Sequence, residues 1–232
     1  MSDVKLIIFD FDGTLVDSRS LILESHRLVF PRFGLPIPDP ADSLALVGKS
    51  LAVILAQLAG ATAPIAEMVR AYDLLLPQLR ADPAFAESPF PGVPELLAEL
   101  NSWSGLALGI ATGHRSDTIA PALGALSWTD YFSTIQAADT APSKPHPAMV
   151  HQALQTTGVR AEDAIFVGDT SFDMMMARAA GVRPIGVGWG YHQVEQLRAA
   201  GASCIVESIS ELRARIRHTL DASPSTISLT DG

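Results

Sequence analysis

The chain has 232 residues, of which 48% are hydrophobic, a formal net charge of −9 and a single cysteine, Cys204. This length allows one or two domains with a sizeable core. No apolar run is long enough to span a membrane, and the first residues lack the basic segment of a signal peptide. The acidic balance argues against a nucleic-acid partner, because such binding depends on cationic surfaces. One cysteine suits a reducing compartment, so we predict a cytoplasmic protein.

The first predicted element is a buried parallel strand over residues 4–9, a short run of β-branched and other apolar residues. Asp10 and Asp12 follow directly, at the strand's carboxyl end, where open α/β sheets keep their ligands. Two carboxylates there repel each other unless a cation or a shared proton compensates. Mg²⁺ prefers oxygen ligands. The pattern therefore predicts a Mg²⁺ site beside this strand.

The interval 17–88 has helical periodicity and no convincing strand. We interpret it as a small all-helical domain inserted after the first strand, with hinges near 16–19 and 87–92. Pro77 is expected to kink or end its last helix. Lys49 follows Gly48 on a glycine-marked turn, and it is either a cation that faces the substrate or a solvated helix residue.

The remainder of the chain alternates apolar strands with helical patterns, which indicates a doubly wound parallel sheet that includes the first strand. The predicted domains are therefore an α/β core over 1–16 and 89–232, and a helical domain over 17–88. The strands of the second core segment are predicted near 106–111, 134–137, 164–168, 184–188 and 203–206.

Polar residues lie after three of these predicted strands. Together with the first acidic cluster they resemble the four motifs of the haloacid dehalogenase superfamily, and the insertion resembles the helical cap of its C1 subclass. The resemblance spans most of the chain, and within the family the chain looks like the phosphoglycolate phosphatases. The motifs are Asp10-Phe11-Asp12-Gly13-Thr14, Thr112-Gly113, Lys144-Pro145, and Gly168-Asp169 with Asp173.

The resemblance implies a role for each motif residue. Asp10 would attack the phosphorus of a phosphomonoester and form an aspartyl-phosphate. Asp12 would protonate the leaving alcohol and then activate water. The phosphate would be bound by Thr112, Gly113 and Lys144. Lys49 is not part of these motifs and stays an open candidate for a further substrate contact. Mg²⁺ would be held by Asp10, the backbone carbonyl of Asp12 and Asp169, and Asp173 would bind a metal-bound water or orient Lys144.

The resulting expectation is a Mg²⁺-dependent phosphatase that acts on a small phosphorylated metabolite, as a monomer or weak homodimer that binds neither nucleic acid nor membrane. Two alternatives stay open: a phosphomutase of the β-phosphoglucomutase type, and a catalytically idle binding protein on the same scaffold. The second motif reads Thr112-Gly113-His114, where Thr-Asn is common among phosphoglycolate phosphatases. The substrate is therefore open, and His114 is either a substrate contact or a helix cap.

Overall fold

The computed structural model describes residues 5–60 and 62–221. The outermost residues of the predicted core, 1–4 and 222–232, lie outside this part of the chain. The strands are β1 (Lys5–Phe9), β2 (Val16–Asp17), β3 (Ser88–Pro89), β4 (Leu106–Ala111), β5 (Thr134–Gln136), β6 (Ala164–Gly168), β7 (Arg183–Val187) and β8 (Cys204–Val206). The helices are α1 (Arg19–Val29), α2 (Pro40–Leu44), α3 (Leu51–Ala59), α4 (Ile65–Arg80), α5 (Val93–Asn101), α6 (Ser116–Ala125), α7 (Ala148–Thr157), α8 (Ser171–Ala179), α9 (Val194–Ala199) and α10 (Ile209–Asp221).

Six strands form one parallel sheet in the order β5-β4-β1-β6-β7-β8, with helices on both faces. The predicted doubly wound α/β fold is thereby confirmed, and each predicted strand of the sheet lies within one residue of its observed bounds at either end. Strand β1 is buried on both sides. Ile7 and Phe9 pack into one apolar layer, and Leu6 and Ile8 into the other. Alternating side chains on a doubly covered strand explain its continuous apolar run.

Helices α1 to α4 lie between β2 and β3, which pair antiparallel with Val16 opposite Pro89. We call residues 18–87 the helical insertion. It has an apolar cluster of its own, built around side chains such as Leu55 and Met68, which are fully buried. The two-residue strands were not predicted, because a pair of residues carries no periodicity. They lie at the positions where the hinges were expected.

Pro77 was predicted to kink or end its helix; α4 continues through it to Arg80, so an end at this proline is wrong and a kink stays a prediction. A proline inside a helix costs roughly 3 kcal/mol. Leu75, Leu76 and Leu79, on both sides of Pro77, are buried in the insertion's apolar cluster. Burying one such side chain contributes about 1.5 to 3 kcal/mol, so packing outweighs the lost hydrogen bond. Within the described residues, no helix combines the length and apolarity needed to cross a bilayer.

Candidate active site

The predicted site residues converge at the carboxyl edge of the sheet. Asp10 follows β1, Thr112 follows β4 and Asp169 follows β6, and β1 is hydrogen-bonded to both of the other strands. Neighbouring parallel strands end at the same edge, which brings the three positions together. All three side chains are buried. Lys144 reaches the same point from the segment before α7.

Lys144 joins two carboxylates. Its Nζ lies 2.7 Å from Asp10 Oδ1 and 2.7 Å from Asp173 Oδ1. Burial opposes the charge on this ammonium, but the two carboxylates outweigh it and raise the pKa of Lys144 to about 12. The lysine is therefore charged at neutral pH. Asp173 is fixed in turn, because Thr170 donates to its Oδ2 from both the backbone N–H and the side-chain hydroxyl.

The site holds more negative charge than Lys144 can neutralise. Carboxylate oxygens of Asp10, Asp169 and Asp173 lie within 4.8 Å of one another. Burial, followed by repulsion from Asp173, raises the pKa of Asp10 well above its usual range, and the same two causes raise the pKa of Asp169 to about 7. Asp10 Oδ2 is buried and has no hydrogen-bond partner among the described residues. Such a cluster of hard oxygen donors with an unpartnered acceptor fits a divalent cation such as Mg²⁺.

Asp169 is positioned by residues that the sequence analysis did not single out. The Thr14 hydroxyl donates to its Oδ1 and the backbone N–H of Tyr191 to its Oδ2, each over 2.8 Å. Gly13 adopts φ +78°, and a Cβ there or at Gly190 would overlap the Asp169 carboxylate. Only residues without a side chain leave room for this carboxylate.

The Asp12 carboxylate faces a different group of side chains. The Ser18 hydroxyl donates to its Oδ1, and His114 Nε2 lies 2.7 Å from its Oδ2. Burial favours the neutral acid, yet the positive charge of His114 outweighs it and holds the pKa of Asp12 below its usual range. Burial likewise opposes the charge on His114, but Asp12 raises its pKa. His114 therefore pairs with the second acid of the first motif.

Thr112 and Gly113 lie where the insertion meets the core. The Thr112 hydroxyl accepts a hydrogen bond from the backbone N–H of His114 over 3.2 Å. A Cβ on Gly113 would overlap the backbone carbonyl of Lys49, so a glycine is needed for this close approach. The Lys49 ammonium lies 4.3 Å from the centre of the Phe172 ring and donates to Gln57 Oε1 over 3.0 Å.

A cleft opens beside Asp12, between the helical insertion and the core. It encloses about 750 Å³ of space, part of it continuous with solvent. Asp12, Gly113, His114 and Lys49 belong to its walls. The insertion contributes further apolar and polar side chains: Leu21, Ile22, Ser25, His26, Leu51, Ile54, Tyr72, Asp73 and Leu76.

The structure thus brings Asp10, Thr112, Lys144, Asp169 and Asp173 to one edge of the sheet, with the Asp12 carboxylate beside them in the cleft. Sequence reasoning missed Ser18 and Tyr191. Tyr191 OH accepts from the Ser18 backbone N–H over 2.8 Å, a contact between residues 173 positions apart. No local pattern in the sequence indicates such a contact.

Known proteins resemble this chain over nearly its whole length. The profile of the haloacid dehalogenase-like hydrolase family matches residues 7–187. A protein named probable phosphatase IndB from Dickeya dadantii is 34% identical over 96% of this chain and 98% of its own length. A phosphoglycolate phosphatase from Photorhabdus laumondii is 30% identical over 93% and 94% of the two chains. The structure of a haloacid dehalogenase-like hydrolase from Streptococcus pneumoniae superimposes with a TM-score of 0.79 at 30% identity, covering 93% of this chain and 100% of that one.

Proposed function

The chain belongs to the haloacid dehalogenase-like hydrolases and is a phosphatase, and from that premise we propose that it is a Mg²⁺-dependent enzyme that hydrolyses a small phosphomonoester through an aspartyl-phosphate on Asp10. The observation that supports this best is the state of the Asp10 carboxylate. It is buried beside Asp169 and Asp173, Lys144 contacts one of its oxygens, and the other oxygen has no partner among the described residues.

Hydrolysis would proceed in two displacements. A carboxylate oxygen of Asp10 attacks phosphorus, and the phosphorus–oxygen bond of the ester breaks. Asp12, which is ionised in the free site, takes up a proton as the phosphomonoester binds and gives it to the departing alcohol. Asp12 then takes a proton from water, the water oxygen attacks phosphorus, and inorganic phosphate leaves while the Asp10 carboxylate is restored. His114 contacts the Asp12 carboxylate and would stabilise its ionised form between the two steps.

The remaining residues manage charge and position. Lys144 offsets the carboxylates and the incoming phosphate, while Thr112 and Gly113 offer hydrogen-bond donors to phosphate oxygens. Asp10, Asp169 and the backbone carbonyl of Asp12 would hold Mg²⁺, with Asp173 behind Lys144. When bound, the ion neutralises charge on the phosphoryl group.

Similarity makes phosphoglycolate the first substrate to examine, because several relatives are named phosphoglycolate phosphatases. We further propose that the helical insertion acts as a cap that excludes water from the site. A cytoplasmic location and a monomer or weak homodimer remain predictions from the sequence.

Replacing Asp10 tests the proposal directly. Asp10→Asn should lower kcat for 4-nitrophenyl phosphate by more than about a thousandfold, because an amide is a poor nucleophile. Asp130→Asn removes the same charge from an exposed position of the core and should keep wild-type activity. Released phosphate is measured with Mg²⁺ and after chelation, which should stop the wild-type enzyme. Residual Asp10→Asn activity within tenfold of wild type, or full activity in verified absence of metal, would contradict the proposal.

A further inference from the structure

Besides His114 Nε2, which lies beside the Asp12 carboxylate, three polar side-chain atoms of the cleft are buried and have no hydrogen-bond partner among the described residues: Ser25 Oγ, Tyr72 OH and Asp73 Oδ1. Ser25 belongs to α1, and Tyr72 and Asp73 to α4, two helices of the insertion that pack against each other. Ser25 is 0% exposed and Tyr72 is 4% exposed. A buried polar group without a partner is costly, so three of them in one cleft indicate that a ligand supplies their partners.

Neighbouring side chains do not supply those partners among the described residues. The cleft wall includes the aliphatic side chains of Leu21, Ile22, Ile54 and Leu76. His26, the nearby imidazole, already shares a hydrogen bond with Ser43 through Nδ1 over 2.8 Å. Burial lowers the pKa of His26 to about 4, so this ring brings no positive charge to the cleft at neutral pH.

The cations of the cleft make contacts with other groups, whereas, among the described residues, an acidic side chain of the cleft keeps an oxygen without a hydrogen-bond partner. The cations each have a contact already: His114 with Asp12, Arg115 with Asp117 over 3.0 Å, and Lys49 with the neutral Phe172 ring and Gln57 amide. Arg115 also attracts the Asp73 carboxylate, but no ion pair joins the two. Among the described residues of this wall, the Asp73 carboxylate keeps an oxygen without a partner. A leaving group with its own carboxylate would therefore meet a like charge at this end of the cleft.

Resting on the proposed function, we propose that Ser25, Tyr72 and Asp73 bind the leaving group, and that the substrate is the phosphate ester of a partly apolar alcohol whose hydroxyl or amino groups donate hydrogen bonds to Asp73 and Tyr72. Asp73 selects against esters that carry a carboxylate, such as phosphoglycolate.

Steady-state kinetics on matched substrates test this assignment. The donor-bearing set is uridine 5′-monophosphate, pyridoxine 5′-phosphate and glucose 6-phosphate; phosphoglycolate is the anionic competitor, and 4-nitrophenyl phosphate is the reference without donors. For wild type, kcat/KM for the best donor-bearing ester should exceed that for phosphoglycolate by at least about tenfold, the ratio that one unsatisfied buried polar group carries. Phosphoglycolate as the best of these substrates would overturn the proposal.

Variants locate the effect in the cleft. Tyr72→Phe and Asp73→Asn should each lower kcat/KM for the best donor-bearing ester by about ten- to hundredfold, mainly through KM, and should lower it at least about fivefold less for 4-nitrophenyl phosphate, which offers no donors. Asp73→Asn should also raise kcat/KM for phosphoglycolate. Asp42→Asn, an exposed carboxylate on α2 of the same insertion, is the matched control and should behave as wild type.

The outcomes distinguish a failure of the leaving-group assignment from a failure of the proposed phosphatase function. A wild-type enzyme that releases no phosphate even from 4-nitrophenyl phosphate contradicts the proposed function, and the leaving-group assignment with it. Hydrolysis of the aryl ester with the same substrate preference in wild type, Tyr72→Phe and Asp73→Asn contradicts the leaving-group assignment alone. Tyr72→Phe removes one hydroxyl and keeps the ring, so this variant should fold as the wild type does.

Discussion

Asp12 is held from two sides, by the Ser18 hydroxyl at the start of the helical insertion and by His114 of the core. This arrangement suits a group that must exchange a proton with both an alcohol and a water. The carboxylate is fixed in direction, while the imidazolium beside it compensates its charge after the proton has left. His114 is therefore a partner of the acid and not simply a helix cap. Its position in the sequence before α6 does not reveal this contact with Asp12.

Asp12→Ala should slow the first chemical step far more for an alkyl ester, such as glucose 6-phosphate, than for 4-nitrophenyl phosphate. An alkoxide needs a proton as it departs, whereas nitrophenolate is stable without one; general acid catalysis of this kind contributes about a hundred- to ten-thousandfold. Single-turnover measurements isolate this step from the later attack of water. Equal losses for the two leaving groups would show that Asp12 is not the acid.

At the scale of single residues, the sequence predicts those that end neighbouring strands. Asp10, Thr112 and Asp169 could be placed together because a parallel sheet aligns the carboxyl ends of its strands. Lys144 and Asp173 were assigned through the family resemblance, and they meet as expected. Ser25, Tyr72 and Asp73 could not be found this way, because their importance depends on which helix faces turn into the cleft and which hydrogen bonds remain unmade there.

Among the elements, α4 connects the insertion to the core through its last residue. Arg80 makes two hydrogen bonds of 2.8 Å to the Glu87 carboxylate and donates to the Thr118 backbone carbonyl of α6 over 2.7 Å. Both members of the ion pair are mostly buried, with side-chain exposures of 16% and 6%. The pair thus ties the end of α4 to the segment before β3 and to the core.

Arg80→Met should lower the free energy of unfolding by about 3 kcal/mol, because it leaves the Glu87 carboxylate buried without its partner. Adding Glu87→Leu should recover part of this loss, since the buried charge is then removed as well. Urea unfolding monitored by circular dichroism measures both changes. Arg160→Met breaks an exposed ion pair of the core and should have little effect. Arg80→Met indistinguishable from Arg160→Met would contradict this role for the pair.

Elements were predicted with uneven success for a physical reason. The inner strands β1, β4 and β6 have long apolar runs because both of their faces are covered, so their bounds were found to within one residue. The β2–β3 pair is too short to carry a pattern. The course of α4 through Pro77 depends on burial of Leu75, Leu76 and Leu79 in a cluster formed with other helices, and local propensity does not report such tertiary packing.

In the whole molecule, two sets of buried titratable groups act on stability in opposite directions. The pKa of Asp169 is raised to about 7, so without metal the folded protein binds a proton that the unfolded chain releases. This contribution makes the metal-free protein more stable as pH falls from about 7 towards the ordinary aspartate range. His26 in the insertion has the reverse behaviour, since burial lowers its pKa from 6.5 to about 4. The contributions of Asp169 and His26 to stability therefore change in opposite directions as the pH falls.

The contribution of His26 can be separated by comparison with His26→Gln, which does not titrate and can still bond to Ser43. Because the folded pKa of His26 is depressed, its neutral form stabilises the protein fully above pH 6.5, and this stability is lost as pH falls towards 4. The free energy of unfolding of wild type minus that of the variant should therefore drop by about 2 to 3 kcal/mol between about pH 7.5 and about pH 4.5. Contributions of Asp10 and Asp169 are present in both proteins and cancel in the difference. Urea titrations at each pH in the metal-free state give the values, and a difference that is flat across this range would show that His26 is accessible to protons in the folded insertion.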